Sequence, residues 1–279
     1  VGAVILTSPA GPDGLPNRLV LAACRVAEVD RVFALGGAQA IAALAFGTES
    51  VPKVDKIFGP GNIFVILAKR RVFGLVGIDG LPGPTETVVV ADDSADPAYC
   101  AADLLAQAEH DPLASAILLT DSPALAAAVA AEVDRQLGTL SRAEVIRQSL
   151  DRSGGIGVVE RLEQAVELAN EYAPEHVSLL VRDPWTWIPR IRHAGGVFVG
   201  RHSTHVIGDY VAGPSHVMPT GGTAKFASPV NLEDFQKVIS LIALDDAHFA
   251  ALAPDAIRIA ELEGFTAHAA AMRVRLERD

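Results

Sequence analysis

The sequence predicts an α/β protein with mostly parallel sheets, and two observations support this. Short apolar runs rich in Val, Ile and Leu alternate with Ala-rich amphipathic stretches along most of the chain. This alternation is typical of parallel strands covered by helices on both faces of the sheet. Of the 279 residues, 50% are hydrophobic, which is enough for a substantial core and excludes a disordered chain.

The first part of the chain is predicted to form one domain, residues 1–84. The predicted strands are 3–7, 31–35 and 56–58, and the predicted helices are 17–29, 38–46 and one that follows Asn62. Gly36 and Gly37 open the second helix, and such glycine turns at helix N-termini attract phosphates, although the spacing is not G-x-G-x-x-G. Gln39 lies at the start of this helix, where it either binds a ligand or is an ordinary polar residue of the helix surface. Asn62 is predicted to cap the third helix.

A turn-rich link, G-L-P-G-P-T-E at 80–86, marks the predicted start of a second domain, 85–230. The predicted strands are 87–91, 116–120, 155–159, 177–181 and 196–199. The predicted helices are 96–110, 122–137, 141–150, 160–172 and 184–194. Residues 200–228 read as a polar loop, which is long for a compact domain and therefore suspected of function. Residues 231–279 are predicted to form a helical C-terminal tail.

Charge and composition exclude several classes of partner. The formal net charge is −11, which disfavours nucleic acid and anionic membranes because both need a positive surface. No apolar run is long enough to span a membrane. Cys24 and Cys100 lie in Ala-rich helical stretches and are expected to be free core thiols. The first residues show neither a basic leader nor a cleavage site, so we expect a cytoplasmic protein.

The turn N-E-Y-A-P-E-H-V at 170–177 is the strongest local candidate for chemistry. Pro174 disfavours helix at Ala173, so a turn presents Glu175 and His176 side by side. An imidazole can take a proton from an alcohol, and a carboxylate can orient it or activate water. On these residues alone, an ordinary polar surface turn is the better explanation of the pair.

Three other stretches carry polar side chains suited to ligands. Gln107 and His110 share one helix face, Asp209 and His216 lie in the long loop, and Glu263 and His268 flank Gly264 in the tail. A set of Gln, His, Asp and His would suit Zn²⁺, but their spacing does not establish a metal site. His202 and His205 form H-x-x-H, and we expect both to be solvated loop residues because no Glu or Cys is near.

Seven blocks stand in order across nearly the whole chain and together resemble the histidinol dehydrogenase family. They are G-G-A-Q-A-I-A-A-L-A-F-G-T at 36–48, V-P-K-V-D-K-I-F-G-P-G-N at 51–62, L-L-A-Q-A-E-H at 104–110, Y-A-P-E-H at 172–176, G-D-Y at 208–210, H-V-M-P-T at 216–220 and E-G-F-T-A-H at 263–268. The resemblance implies two incomplete Rossmann-like domains with mostly parallel sheets, followed by the helical tail. It also implies oxidation of L-histidinol to L-histidine through histidinaldehyde with two NAD⁺.

The resemblance assigns each candidate residue a role. His176 matches the base that removes the hydroxyl proton, and Glu175 matches the carboxylate that activates water. The implied zinc ligands, which also face the substrate, are Gln107, His110, Asp209 and His268. The other implied substrate contacts are Thr85, His216 and Glu263, and the implied NAD contacts are Gln39 and Asn62. Thr85 stands where the family usually has Ser, and it keeps the hydroxyl. The family's homodimer, with an exchanged C-terminal tail, is the expected assembly.

Three other interpretations remain open on sequence. A related zinc-dependent dehydrogenase acting on a polyol such as a dihydroxypropane sulfonate would not need the pair His216 and Glu263. The second is a truncated, non-catalytic homologue. Its support is that the family's N-terminal region, expected ahead of the first strand, is absent from this sequence. A zinc hydrolase would be compatible with Glu175 and His176 beside a metal.

Overall fold

A computed structural model describes residues 1–277, and within them the chain forms two compact units, 1–235 and a second that begins at Gln236. The strands are β1 Ile5–Ser8, β2 Arg31–Ala34, β3 Lys56–Ile57, β4 Gly77–Ile78, β5 Glu86–Ala91, β6 Ser115–Thr120, β7 Gly154–Val158, β8 His176–Leu180 and β9 Gly196–Val199. The helices are α1 Arg18–Val26, α2 Gly37–Phe46, α3 Ile63–Val72, α4 Pro97–Ala108, α5 Pro123–Leu137, α6 Ala143–Ser153, α7 Leu162–Tyr172, α8 His205–Tyr210, α9 Asp246–Leu262 and α10 Thr266–Leu276.

Every strand of the first unit pairs in parallel, which confirms the predicted fold class. The strands form a five-stranded sheet in the order β7-β6-β5-β8-β9 and two small sheets, β1-β2 and β3-β4. The central strand β5 pairs with β6 and β8, and in this register Thr87 lies opposite His176. The start of β5 therefore meets the start of β8 at the amino-terminal edge of the sheet.

The large sheet is buried on both faces, as its run of Val residues predicts. Val89 and Ala91 of β5 point into a core shared with α4, α5 and α6. Val88 and Val90 point to the opposite face, where α7 packs. Alternate residues of one strand thus fill two separate cores. Cys100 is fully buried in the first of these cores, and both it and Cys24 are free thiols, as predicted.

The small sheets belong to the N-terminal part of the unit and share a third core built around Ile41, Leu44 and Ile57. Asn62 caps α3 as predicted, since its Oδ1 accepts hydrogen bonds from the backbone N–H groups of Phe64 and Val65. β4 was not predicted, because its two residues are too short to leave a pattern. The boundary placed between residues 84 and 85 stays a prediction.

Three predicted segments were wrong in detail. Residues 184–194 are not one helix but two 3₁₀ turns, Pro184–Thr186 and Ile188–Arg190, because Pro189 cannot donate the hydrogen bond that a continuous helix needs. The loop 200–228 contains the short helix α8. The tail is not helical from residue 231, since a 3₁₀ turn at Leu232–Phe235 is followed by irregular chain before α9.

The second unit is a pair of helices, α9 and α10, joined at Gly264. Gly264 has φ +78°, a left-handed conformation that glycine tolerates, so it ends one helix and lets the next begin. Ile257, Ala260 and Ala269 are buried between the two helices. Among residues 1–277, no helix combines the length and the apolar character needed to cross a membrane.

Candidate active site

The backbone at Glu175 and His176 is fixed by a tight turn between α7 and β8. Ala173 ends α7 with φ 53°, a left-handed conformation that is uncommon for a residue with a Cβ. Such strain persists only where the surroundings enforce it, and it is concentrated at functional sites. Gly196 of β9 donates its N–H to the carbonyl of Glu175 over 2.8 Å. Both side chains are buried at the amino-terminal edge of the sheet.

A series of hydrogen bonds connects these two side chains through three neighbours. The Thr85 hydroxyl donates to Glu175 Oε2. Gln107 Nε2 donates to Thr85 Oγ1 over 2.7 Å, and Thr87 Oγ1 donates to Gln107 Oε1 over 2.7 Å. Thr87 Oγ1 also lies 3.3 Å from His176 Nδ1. We call this the hydrogen-bond series: Glu175, Thr85, Gln107, Thr87 and His176.

The series determines which nitrogen of His176 carries the proton. A hydroxyl has a single proton to donate, and Thr87 gives its proton to the Gln107 amide oxygen. Thr87 must therefore accept from His176, so the imidazole is protonated at Nδ1. Its Nε2 is left as the lone-pair nitrogen, and this atom is buried without a hydrogen-bond partner among the described residues. An imidazole in this tautomer can accept a proton at Nε2.

Burial keeps this imidazole neutral. Two effects together lower the pKa of His176 to about 3. Loss of hydration is the larger, and the nearby imidazoles of His205, His110 and His216 contribute the rest. A neutral histidine is the form that acts as a base. His176 is therefore neutral throughout the neutral pH range.

Glu175 has the opposite perturbation. Burial raises its pKa to about 7, and hydrogen bonds from the Thr85 hydroxyl and the Glu86 backbone N–H partly oppose this. The nearby carboxylates of Glu86 and Asp209 add to the rise. A carboxyl group with a pKa near neutrality can both accept and release a proton at physiological pH, which suits it for general acid–base catalysis.

His205 contradicts the prediction that it is solvated. It is fully buried in α8 and stacks on His176, with ring centroids 5.3 Å apart and an interplanar angle of 25°. Phe198 contacts both imidazoles edge-on. His202, by contrast, is exposed as predicted. Nothing in the local sequence separates the two histidines, because α8 has only six residues and leaves no periodic pattern.

The predicted zinc ligands are divided between the two units. Gln107 is buried in α4, His110 follows α4, and Asp209 lies in α8. Burial raises the pKa of Asp209, and His110 and His216 oppose this rise, which shows that these groups are close in space. His268 lies in the second unit.

Among residues 1–277, no group of three or more His, Cys, Asp and Glu side chains could hold a metal ion. One of the four predicted ligands, Gln107, is an amide and therefore does not belong to these four residue types. Of the other three ligands, the first unit contains only His110 and Asp209. The donor chemistry of an amide oxygen, two imidazoles and a carboxylate nevertheless suits Zn²⁺. A zinc site made of these four residues stays a prediction.

The remaining predicted residues are not members of the hydrogen-bond series. His216 is exposed, and Glu263 is exposed in the second unit. Gln39 lies exposed in the first turn of α2, whose N-terminus has no side-chain cap and so leaves backbone N–H groups for an anion. Asn62 uses its amide oxygen to cap α3, which leaves its amide nitrogen to donate elsewhere.

Comparison with known proteins gives the family. A model of the family described as histidinol dehydrogenase matches residues 1–276. The chain belongs to the histidinol dehydrogenase family. The histidinol dehydrogenase of Dehalococcoides mccartyi strain CBDB1 is 53% identical over 98% of this chain, and that of Deinococcus radiodurans is 52% identical over 98%.

A solved structure shares this fold. The crystal structure of histidinol dehydrogenase from Elizabethkingia anophelis matches with a TM-score of 0.93 at 37% identity over 98% of this chain. The chain spans 63% of the length of these curated histidinol dehydrogenases and 63% of the crystallised one.

Proposed function

We propose that the protein is an NAD-dependent histidinol dehydrogenase, which oxidises L-histidinol to histidinaldehyde and then to L-histidine in the last steps of histidine biosynthesis. The observation that carries this proposal is the buried pair in which His176 presents a lone-pair Nε2 and Glu175 titrates near neutrality. One group suits removal of an alcohol proton, and the other suits activation of water. The two half-reactions need these two different bases.

The first half-reaction uses His176. As the substrate carbon loses a hydride, its hydroxyl proton passes to His176 Nε2, giving the aldehyde and a charged imidazolium. Because burial makes the charged form unfavourable, His176 readily passes this proton on and returns to its neutral form. The Nδ1–H bond to Thr87 keeps the ring oriented while Nε2 reacts.

The second half-reaction uses Glu175. The ionised carboxylate takes a proton from water, and the resulting hydroxide adds to the aldehyde carbon to form the anion of the hydrate. Loss of a second hydride from that carbon then gives the carboxylic acid. The Thr85 hydroxyl, which donates to Glu175 Oε2, stabilises the ionised form that this step needs.

Two cofactors support this chemistry. Gln39 and Asn62 would lie beside NAD⁺, which would accept the hydride in each half-reaction, and α2 presents an uncapped N-terminus next to Gln39. Gln107, His110, Asp209 and His268 would hold Zn²⁺, which would position the substrate. His216 and Glu263 complete the substrate contacts.

The assembly we propose is a homodimer in the cytoplasm whose C-terminal tail completes the partner's site. Ile257 and Ala260 are buried within the second unit, but Leu262 and Phe265 remain exposed. Exposed apolar side chains of this size favour burial against another surface. The free thiols Cys24 and Cys100 are consistent with a reducing compartment.

Substrate-dependent formation of NADH tests this proposal. Purified protein supplied with Zn²⁺ and NAD⁺ should form two NADH for each L-histidinol consumed. The same protein should form no NADH from a dihydroxypropane sulfonate, which has no imidazole. NADH formed from the sulfonate alone would identify the related polyol dehydrogenase, and no NADH from either substrate would overturn the proposal.

A further inference from the structure

A pair of fully buried opposite charges lies in the N-terminal part of the first unit, away from the hydrogen-bond series. Lys69 of α3 pairs with Asp79, and their side chains are 0% and 1% exposed. Charged side chains are almost never buried this completely unless they are paired. An apolar pair of similar volume often stabilises a fold at least as well, because burying two charges carries a large desolvation penalty. A contribution to folding stability is therefore a weak explanation for the presence of this buried ion pair.

Both charges hold the backbone of one residue. Lys69 Nζ donates to the Gly59 carbonyl over 3.0 Å, and the Gly59 N–H donates to Asp79 Oδ2 over 2.7 Å. Gly59 has φ +114°, a conformation that residues with a Cβ rarely adopt. The ion pair therefore fixes this glycine by both of its polar backbone groups.

The glycine lies where α/β domains bind ligands. Gly59 comes two residues after β3, and Asp79 directly follows β4. The two strands are parallel, so their carboxyl ends meet at one edge of the small sheet. Ligands of α/β proteins bind in the loops at this edge. The loop Gly59–Pro60–Gly61–Asn62 leaves β3 here and enters α3 through the Asn62 cap.

We propose that Lys69 and Asp79 are positioning residues for the nucleotide cofactor: they hold the loop 59–62 in the shape that accepts it. The proposal rests on the proposed function, which places NAD beside Asn62. Neither side chain touches the cofactor in this proposal, because both are hydrogen-bonded to Gly59 and paired with each other. Their effect is on cofactor affinity and not on the chemical step.

Removing both charges together tests the proposal without leaving one charge buried alone. In the double variant Lys69→Met with Asp79→Asn, we expect the dissociation constant and the KM for NAD⁺ to rise by about tenfold or more, since small displacements of a binding group have effects of this size. We expect kcat and the KM for L-histidinol to change by less than about twofold. NAD⁺ binding is measured directly by titration calorimetry as well as by kinetics.

A second variant moves the same loop without touching the charges. At Gly59, an added Cβ would meet no atom within 4 Å, so Gly59→Ala strains only the backbone. We expect it to weaken NAD⁺ binding in the same way. The matched control is the exposed pair Arg182 and Asp93, changed to Met and Asn, which should leave NAD⁺ binding unaltered.

The outcomes separate this proposal from the proposed function. Unchanged NAD⁺ affinity in Gly59→Ala, or in a folded double variant, overturns the positioning role while the wild-type protein still oxidises histidinol. Equal losses in kcat and in the KM for both substrates also overturn it, because they indicate a general loss of structure. A wild-type protein that binds no NAD⁺ overturns both proposals.

Discussion

Thr87 Oγ1 lies 3.3 Å from His176 Nδ1 and, having donated its proton to Gln107, can only accept from that nitrogen. This one contact makes Nε2 of His176 the basic nitrogen. Replacing Thr87 by Val keeps its shape and removes the acceptor. A lost hydrogen bond contributes about 1 kcal/mol, so we expect kcat for alcohol oxidation to fall by about five- to tenfold.

Nitrogen chemical shifts of the His176 ring give a direct measure of this effect. The wild-type protein should show the Nδ1–H form alone, and Thr87→Val should show a mixture of both tautomers. Thr87→Ser keeps the hydroxyl and should restore the wild-type spectrum. Thr120, which is equally buried on the neighbouring strand, provides the control Thr120→Val. A pure Nδ1–H tautomer in Thr87→Val would contradict the assignment.

The two half-reactions should differ in their response to acid. His176 has a pKa of about 3, so its titration leaves alcohol oxidation unaffected across the neutral range. Glu175 has a pKa of about 7 and must be ionised to activate water, so oxidation of histidinaldehyde should fall as the pH drops through about 7. Rate profiles recorded separately on histidinol and on the aldehyde check this. If the rates of both half-reactions fall over the same acidic pH range, the separate roles of His176 and Glu175 are contradicted.

Thr85 should set the position of that acid limb. Its hydroxyl donates to the ionised form of Glu175 and so lowers the pKa of the carboxyl group. In Thr85→Val the ionised form of Glu175 loses this hydrogen bond, so the pKa of Glu175 rises further. The acid limb of the pH profile for aldehyde oxidation then moves to higher pH. Thr85→Ser keeps the donor and should leave the limb in place. A limb that moves to lower pH in Thr85→Val would be the wrong sign for this account.

Zinc content should depend on the second unit as well as the first. His268 is exposed in that unit, so His268→Asn should leave the folded core unaltered while removing one ligand. Metal analysis of the purified variant should show clear loss of zinc beside a wild-type circular dichroism spectrum. His248, an exposed histidine paired with Asp245 in the same unit, supplies the control His248→Asn. Undiminished zinc in His268→Asn removes that residue from the ligand set.

Exchange of the tail between subunits should be visible in mixed dimers. If the tail serves the partner, a heterodimer of His176→Ala and His268→Asn chains has one site with both changes and one site with neither. Activity should then return when the two inactive proteins are mixed under conditions that let subunits exchange. A tail that serves its own chain leaves one change in every site, and the mixture stays inactive.

Local pattern predicted most of the fold because the strands and helices of the first unit are long or strongly apolar. Asn62 was correctly placed as a helix cap, since capping depends only on adjacent residues. Proline at 189 divided one predicted helix into two turns. The short helix α8 left no periodic signal, so its buried His205 was predicted wrongly.

The connection between Glu175 and His176 was beyond the reach of sequence pattern. Thr87 was not predicted to have any role, because its position beside His176 depends on the register between β5 and β8. Strand register is set by packing across the whole sheet. Glu175, His176 and Gln107 were named from local pattern and Thr85 from family resemblance, but only the folded chain shows that they form one hydrogen-bonded series.

The division of work between the two bases is the central claim, and separate measurement of the two half-reactions in His176→Ala and Glu175→Gln tests it most directly. His176→Ala should slow oxidation of histidinol by about 10² to 10⁴-fold, the usual contribution of a positioned general base. Glu175→Gln should slow oxidation of histidinaldehyde much more than oxidation of the alcohol. Equal damage to both half-reactions in Glu175→Gln would contradict the account.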